Sequence, residues 1–274
     1  MQKLVQFKKP KRLLTPTSGF LSGYSHSLNP YTGCAFACSF CYVRQSPVGM
    51  FRKQEWGTWI DVKQATKEQL QKEVRHLKKQ GKTVTIFMSS ATDPYQPLEY
   101  KEKITRTLLE ALVEEPPHFL FIQTRSPLVT RDRELIAQLK EHVRVSMTVE
   151  TDREDIRKVF SPEAPPIQAR LKAIRQLNEL GIQTQVALAP VLPFSEAFPK
   201  ILANTTEGVV IDDFITGDGS NGKRTERLRI KEIYEQLGME WWYGEGTAQM
   251  AYERMKESFT EEQLLLSKAG FSPN

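Results

Sequence analysis

The 274-residue sequence predicts an α/β fold built on parallel strands, and two observations lead to this prediction. First, short apolar runs alternate along the chain with longer segments of helical periodicity, which is the order of repeated β-α units. Second, hydrophobic residues make up 39% of the chain, enough for a substantial core. Since crossovers between parallel strands are right-handed, such units wind into a barrel or a partial barrel.

Six segments have the composition of strands. They are residues 27–32, 83–89, 118–124, 143–150, 182–189 and 208–214. In the fourth, an apolar face alternates with a polar face made of Arg144, Ser146, Thr148 and Glu150. A polar face directed inward differs from the packed interior of an eight-stranded barrel and predicts a hollow barrel that holds a ligand. The alternative is an edge strand whose polar face lies in solvent.

Segments with helical spacing lie between these strands, and further ones follow the sixth strand. The predicted helices are residues 66–80, 100–114, 131–140, 166–180 and 195–204, followed by 225–237 and 247–268. In the fourth helix, Ile167, Leu171 and Ile174 recur three or four residues apart, and Gly181 follows where a C-capping glycine is expected. The chain thus divides into an N-terminal extension (1–23), a barrel core (24–220) and a C-terminal helical closure (221–274).

The most specific feature is a cluster of cysteines. Cys34, Cys38 and Cys41 are the only cysteines and lie within eight residues. Disulfide frameworks use paired, widely spaced cysteines, and a structural zinc usually takes four ligands. The C-x3-C-x2-C spacing instead suits a cubane 4Fe-4S cluster with one iron left free for another ligand. Two alternatives stay open, namely three buried thiols or a zinc site completed by His26.

With Phe40 before the third cysteine and Tyr42 after it, this loop resembles the signature loop of the radical S-adenosylmethionine (SAM) superfamily. The resemblance implies that SAM chelates the free iron through its amino and carboxylate groups. It also implies that an electron from the cluster cleaves SAM reductively, and that the resulting radical abstracts a hydrogen atom from a substrate. We therefore expect a radical SAM enzyme on a partial (β/α)6 TIM-like barrel of the radical SAM type, closed by C-terminal helices.

Further matches lie at the predicted strand ends and resemble the spore photoproduct lyase-like branch. They are the polar turn 89–99, the pair Thr124-Arg125, the fourth-strand segment 144–148 and the pair Ala189-Pro190. In the lyases a lysine in the place of Arg125 meets the SAM carboxylate, and arginine can form the same charge-assisted hydrogen bonds. The SAM contacts implied by this resemblance are Tyr42, Ser90, Thr92, Asp93, Arg125, Ser146 and Ala189. One departure is that residues 87–93 lack the cysteine that serves the lyases as hydrogen-atom donor.

The net charge of +5 makes the chain mildly basic. The first twelve residues contain five positive charges and no acidic residue. These charges are on Lys3, Lys8, Lys9, Lys11 and Arg12. Such an arm either contacts the phosphates of a nucleic acid or is a solvated tail.

The other expectations concern the compartment, the partners and the competing functions. No run of 18 apolar residues and no secretory signal are present, so we expect a cytoplasmic protein with no membrane segment. The family resemblance implies a reducing electron donor such as a flavodoxin or ferredoxin. Two other functions remain, an iron-sulfur electron carrier, which lacks a fourth cysteine here, and a zinc-binding nucleic-acid module using Cys34, Cys38, Cys41 and His26.

Overall fold

Eleven strands build two sheets in the computed structural model, which describes residues 3–217 and 219–273. The strands are β1 (Leu4–Lys8), β2 (Leu14–Pro16), β3 (His26–Leu28), β4 (Tyr31–Thr32), β5 (Trp59–Lys63), β6 (Thr85–Met88), β7 (Phe119–Thr124), β8 (Val143–Thr148), β9 (Gln183–Leu188), β10 (Val209–Ile211) and β11 (Leu264–Leu266). The main sheet has eight strands in the order β11-β10-β9-β8-β7-β6-β3-β2, and all neighbours except β2 and β3 are parallel. The predicted α/β fold with a parallel sheet is confirmed.

Helices occupy the connections between the parallel strands. They are α1 (Pro47–Met50), α2 (Lys67–Lys79), α3 (Glu99–Glu102), α4 (Ile104–Glu114), α5 (Arg133–Gln138), α6 (Glu154–Phe160), α7 (Ile167–Asn178), α8 (Phe198–Ala203), α9 (Lys223–Arg227), α10 (Ile230–Leu237) and α11 (Thr247–Met255). In α7 the predicted apolar face is buried, and Gly181 adopts a φ of +70° just beyond the helix. The left-handed backbone at this glycine ends the helix without strain. No helix in the described part of the chain is long and apolar enough to cross a membrane.

Strand alternation divides the core into an outer and an inner layer. Ile86, Leu120 and Val145 belong to the large apolar cluster that also contains the buried helix residues. Their neighbours Phe87 and Phe121 face the other way and stack at 5.0 Å between ring centroids. Tyr24 and the C-terminal Phe271 join these inner rings. Aromatic side chains therefore fill part of the barrel interior.

The polar face predicted for the fourth strand is directed inward. β8 lies between β7 and β9, which excludes the edge-strand alternative. Ser146 and Thr148 are buried and hydrogen-bond to Gln185 and Gln123 of the two flanking strands. The inner face of β8 is thus polar, as expected for a hollow barrel that holds a ligand. The aromatic rings described above fill the neighbouring part of the interior.

Several predicted helices differ from the structure because single residues interrupt them. The predicted helix 100–114 is divided at Lys103, and the predicted helix 225–237 is divided at Arg229; both residues have left-handed backbone. The predicted helix 247–268 is wrong beyond Met255, because Leu264–Leu266 pairs in parallel with β10 as an edge strand. Apolar residues in a run of three satisfy a helical pattern and a strand equally well.

The basic N-terminal arm is not a solvated tail over the residues that the structure describes. Leu4–Lys8 pairs in parallel with β5 along all five residues, in a second sheet of the order β1-β5-β4. The Lys3 ammonium donates to the Ala35 carbonyl oxygen at 3.0 Å, and the amides of Leu13 and Leu14 donate to Glu73. The arm is therefore part of the folded domain and touches the cysteine loop.

A candidate active site around three cysteines

A cavity of about 290 Å³ lies at the carboxyl ends of the central strands. This volume is near the lower end of the usual range for small-molecule sites, about 300–1,000 Å³. Nine of the ten predicted site residues line it, namely Cys34, Cys38, Cys41, Tyr42, Ser90, Thr92, Asp93, Arg125 and Ala189. Residues separated by up to 155 positions (Cys34 to Ala189) thus share one cavity, as expected where parallel strands end together.

The cysteine loop begins at Gly33, directly after β4. This glycine has a φ of +85°, and a Cβ atom there would lie 2.6 Å from the carbonyl oxygen of Trp59. Only glycine combines that backbone with so close an approach. Two turns follow, in which the Ala37 amide donates to the Cys34 carbonyl and the Cys41 amide donates to the Cys38 carbonyl. This succession of turns brings all three thiols to the cavity.

Residues after β6 hold the loop from one side. The Thr92 hydroxyl donates to the Gly33 carbonyl oxygen at 2.6 Å. The Gln96 side chain accepts from the Ala35 amide at 2.9 Å and donates to the same Gly33 carbonyl at 3.3 Å. Thr92, predicted to contact SAM, therefore has a clear structural role in fixing the cysteine loop.

Other bonds hold the remaining parts of the loop. The Ser39 amide and hydroxyl both donate to the Phe160 carbonyl at the end of α6. The Tyr42 hydroxyl donates to the Ser90 carbonyl oxygen at 2.7 Å, and the Ser90 hydroxyl accepts from Asn29. Tyr42 and Ser90 therefore join the end of the cysteine loop to the turn after β6.

Asp93 connects the ends of β6 and β7. One carboxylate oxygen accepts from the Tyr95 amide and the Thr124 hydroxyl, at 2.9 and 2.7 Å, and the other accepts from the Arg125 amide at 2.8 Å. Burial raises the pKa of Asp93, and the hydrogen bonds from Arg125 and Thr124 oppose this shift. Asp93 thus positions the residue that follows β7.

The Arg125 guanidinium reaches the cysteine loop. Its Nη1 atom lies 2.8 Å from the Cys38 Sγ atom and 2.8 Å from one carboxylate oxygen of Glu150. The other oxygen of Glu150 accepts from Arg170 at 2.8 Å. Burial raises the pKa of Glu150, but the two arginines outweigh it and the net pKa lies below its usual value. Glu150 is therefore ionised between two cations.

Burial also raises the pKa of each cysteine thiol, that of Cys38 to about 12. Arg125 opposes this shift at Cys38 and Cys41. One guanidinium does not fully offset the effect of burial on these thiols, of which Cys34 and Cys38 are buried and Cys41 is partly exposed. A group that brings several positive charges to the three sulfurs would do so, which is how metal centres deprotonate their thiol ligands.

Ser146 is the predicted site residue that does not line the cavity. It is fully buried in the barrel interior, and its hydroxyl accepts from the Gln185 amide nitrogen at 3.2 Å. Direct contact between Ser146 and SAM stays a prediction. Ala189 lines the cavity next to Pro190, to which it is joined by a cis peptide bond.

Several lining residues were not among the predicted SAM contacts, although Ser89 belongs to the predicted polar turn 89–99. Ser89 and Gln123 each present one buried side-chain oxygen with no hydrogen-bond partner among the described residues. Asp212, directly after β10, is buried in the cavity wall, and burial raises its pKa to about 6. The available signal was position, since all three lie at or near strand ends on the inner face.

The zinc alternative is not supported by the placement of His26. The charged groups that act on His26 are Lys82, Glu73 and Arg12, and none of these lines the cysteine cavity. Among residues 3–217 and 219–273, no three His, Cys, Asp or Glu side chains converge to hold a single metal ion. A cubane cluster differs in this respect, because each thiolate binds a different iron.

Comparisons with known proteins agree with this geometry. A family model described as the radical SAM superfamily matches residues 28–197. An uncharacterised protein of Methanocaldococcus jannaschii is 31% identical over 185 residues, which cover 68% of this chain and 66% of that protein. An uncharacterised protein of the Acidianus two-tailed virus is also 31% identical, over 79% of this chain and 82% of that protein.

A solved structure shows the same fold. A spore photoproduct lyase mutant with bound AdoMet and dinucleoside spore photoproduct superposes with a TM-score of 0.65. The superposition covers 96% of this chain and 81% of the lyase chain, at 14% sequence identity. At this identity the likeness concerns the arrangement of the elements.

Proposed function

The chain belongs to the radical SAM superfamily, and from this premise we propose that it binds a 4Fe-4S cluster at Cys34, Cys38 and Cys41, with SAM beside it. The enzyme would cleave SAM reductively and abstract a hydrogen atom from a nucleotide-containing substrate. The observation that carries this proposal is the meeting of three thiols, two of them buried, with the polar residues after β6 and β7 in one cavity.

The cysteine loop suits the cluster in number and chemistry. Three thiols face the cavity, the sequence has no other cysteine, and an arginine lies against one of them. Three thiolates leave one iron of a cubane with room for a chelating ligand, whereas four would saturate it. The electron-carrier alternative, which needs the fourth ligand, is therefore less well supported.

When bound, the cluster supplies the electron for the reductive cleavage of SAM, and the protein supplies position and a dry site. Gly33, Thr92 and Gln96 hold the loop so that the three sulfurs face one space. The apolar walls exclude water: Phe40 packs against Arg125, and Phe87 closes the floor. Exclusion of water protects a reactive radical from side reactions.

Polar groups beside the cysteines are the proposed SAM contacts. Arg125 has five N–H donors, and the two bonds described above use a single nitrogen of its guanidinium. The remaining donors suit the SAM carboxylate, as the family resemblance implies. Two further proposed contacts lie on opposite sides of Arg125 in the cavity wall: Ser90 follows β6, and Ala189 follows β9.

The deeper part of the cavity is the proposed place of the substrate. Ser89 and Gln123 each present an oxygen that has no hydrogen-bond partner in the described part of the chain. The aromatic rings of Phe20, Phe87 and Phe271 also line the cavity. Such a combination fits a planar ring with polar edges, because aromatic side chains stack on bases. The structurally similar lyase, with its bound dinucleoside, supports the choice of a nucleotide.

The proposal also includes a partner and a compartment. Reduction of the cluster calls for a low-potential electron donor such as a flavodoxin or ferredoxin, and thiols remain reduced in the cytoplasm. Exposed Lys8, Lys9 and Lys11 provide positive charge for a nucleic-acid backbone.

Anaerobic turnover tests the proposed reaction. The reconstituted protein, reduced with dithionite, is incubated with SAM and short deuterated oligonucleotides, and 5'-deoxyadenosine is analysed by mass spectrometry. Formation of 5'-deoxyadenosine supports the enzyme, and transfer of deuterium into it supports a nucleotide substrate. Cleavage of SAM without deuterium transfer would reject the nucleotide substrate, and no cleavage would reject the enzyme.

A further inference from the structure

We infer that Arg125, Glu150 and Arg170 form a buried charge triad that sets the reduction potential of the cluster at Cys34, Cys38 and Cys41. The inference rests on the proposed function, because it presupposes the cluster. It assigns to these residues a positioning and electrostatic role that is separate from contact with SAM.

The triad begins at a cysteine. Arg125 donates from Nη1 to the Cys38 Sγ atom and to Glu150, at 2.8 Å each. The central carbon of its guanidinium also lies 5.7 Å from the centre of the Phe40 ring. Phe40 stands between the second and third cysteines in the sequence. Asp93 holds the Arg125 amide on the other side. Both ends of this residue are therefore fixed, and its charge stays beside the sulfur.

The triad continues away from the cavity into the protein. Glu150 uses its second oxygen to accept from Arg170, whose side chain is 0% exposed. Arg170 comes from α7 and also donates to the carbonyls of Thr148 and Pro165. Three charges thus follow one another inward from Cys38 in the order positive, negative, positive.

Stability alone does not account for this arrangement. Buried ion pairs are often no more stabilising than apolar side chains of similar volume. Here the Arg170 Nη2 atom is buried and has no hydrogen-bond partner within residues 3–217 and 219–273. An unsatisfied buried donor costs about 1–3 kcal/mol. The charges themselves therefore call for a role, and the sulfur beside them is where they act.

The signs of the charges determine the expected effects. Reduction adds one negative charge to a cluster, so a nearby cation favours the reduced form and raises the potential, and a nearby anion lowers it. The intact triad has a net charge of one positive unit. Loss of Glu150 raises this charge, and loss of either arginine lowers it. Arg125 should have the larger effect because it touches Cys38.

The test is an EPR-monitored redox titration of the reconstituted holoenzyme without substrate. Glu150→Gln should shift the midpoint potential upward, and Arg125→Gln and Arg170→Gln should shift it downward, with the smaller shift at Arg170. Arg125→Lys keeps the charge, so its midpoint potential should be closer to that of wild type than the midpoint potential of Arg125→Gln is. Arg131→Gln is the matched control, since Arg131 pairs with Glu99 and Asp132, neither of which lines the cysteine cavity.

Opposite signs separate an electrostatic role from a structural one, because loosening of the loop would move all variants in one direction. Equal potentials in Glu150→Gln and wild type, at equal iron content, would overturn the inference. If Arg125→Gln does not retain iron, the opposite shifts expected for Glu150→Gln and Arg170→Gln still decide it. A wild-type protein that holds no cluster would instead contradict the proposed function.

Discussion

The hydroxyl of Thr92 lies 2.6 Å from the carbonyl oxygen of Gly33 and donates a hydrogen bond to it. This bond joins the turn after β6 to the residue just before the first cysteine. The conformation of the cysteine loop thus depends on a strand end that is 59 residues away in the sequence.

Thr92→Val should weaken the hold on the cysteine loop. The variant loses the bond to Gly33 and a 3.3 Å bond that the hydroxyl accepts from Gln96. Each such bond contributes about 0.5–1.5 kcal/mol, and Gln96 still donates to the Gly33 carbonyl. We expect a slightly lower melting temperature and faster loss of iron to a chelator. Thr92→Ser keeps the hydroxyl and serves as the control. Unchanged iron retention with weaker SAM binding would show that Thr92 acts on SAM and not on the loop.

Arg125→Ala is expected to weaken SAM binding by about 1.5–3 kcal/mol, the range for a hydrogen bond to a charged group. The measurement is a SAM titration of protein that carries a full complement of iron. Arg125→Lys should recover part of the affinity, because lysine offers the charge without the planar donor geometry. An unchanged dissociation constant in Arg125→Ala would show that this arginine does not bind SAM and that its role is limited to its contacts with Cys38 and Glu150.

Asp212 should make stability depend on pH. Its folded pKa of about 6 lies above the usual value of 3.8, so it contributes stability below about pH 4 that is lost as the pH rises through 6. The loss amounts to about 3 kcal/mol. Urea unfolding of Asp212→Asn and wild type at pH 4 and pH 7 measures it.

From pH 4 to pH 7, the free energy of unfolding of Asp212→Asn should rise by about 3 kcal/mol relative to that of wild type. Glu261→Gln, which removes an exposed carboxylate that pairs with Lys256, is the control for loss of a surface charge. A constant difference between Asp212→Asn and wild type would show that Asp212 titrates normally.

Nucleic-acid binding is best tested without deleting the N-terminal arm, because deletion would remove β1 from its sheet. Replacement of exposed Lys8, Lys9 and Lys11 by glutamine keeps the strand. If these lysines contact phosphates, the slope of log affinity against log salt should become shallower by about 0.9 per lost contact with duplex DNA.

The matched control replaces Lys158, Lys172 and Lys200, which are exposed on α6, α7 and α8. Equal slopes for the two triple variants and wild type would assign the arm a structural role only. The binding titration is carried out at two salt concentrations.

The sequence predicted the central strands and the cysteine loop because their signals are local. Apolar runs mark the strands, and eight consecutive positions contain all three cysteines. The contact of Arg125 with Cys38 spans 87 positions, and that of Arg170 with Glu150 spans 20, so pattern and spacing give no indication of either. Strand β1 was missed because it is an exposed edge, where basic side chains resemble a solvated tail.

The central claim is that the cysteines hold an iron-sulfur cluster, and metal analysis of anaerobically purified, reconstituted protein tests it most directly. We predict about four iron and four sulfide per chain, the content of a cubane cluster. Replacement of Cys34, Cys38 or Cys41 by alanine should abolish both the iron and the cleavage of SAM. About one zinc per chain without sulfide, or full iron in a double cysteine variant, would contradict the account.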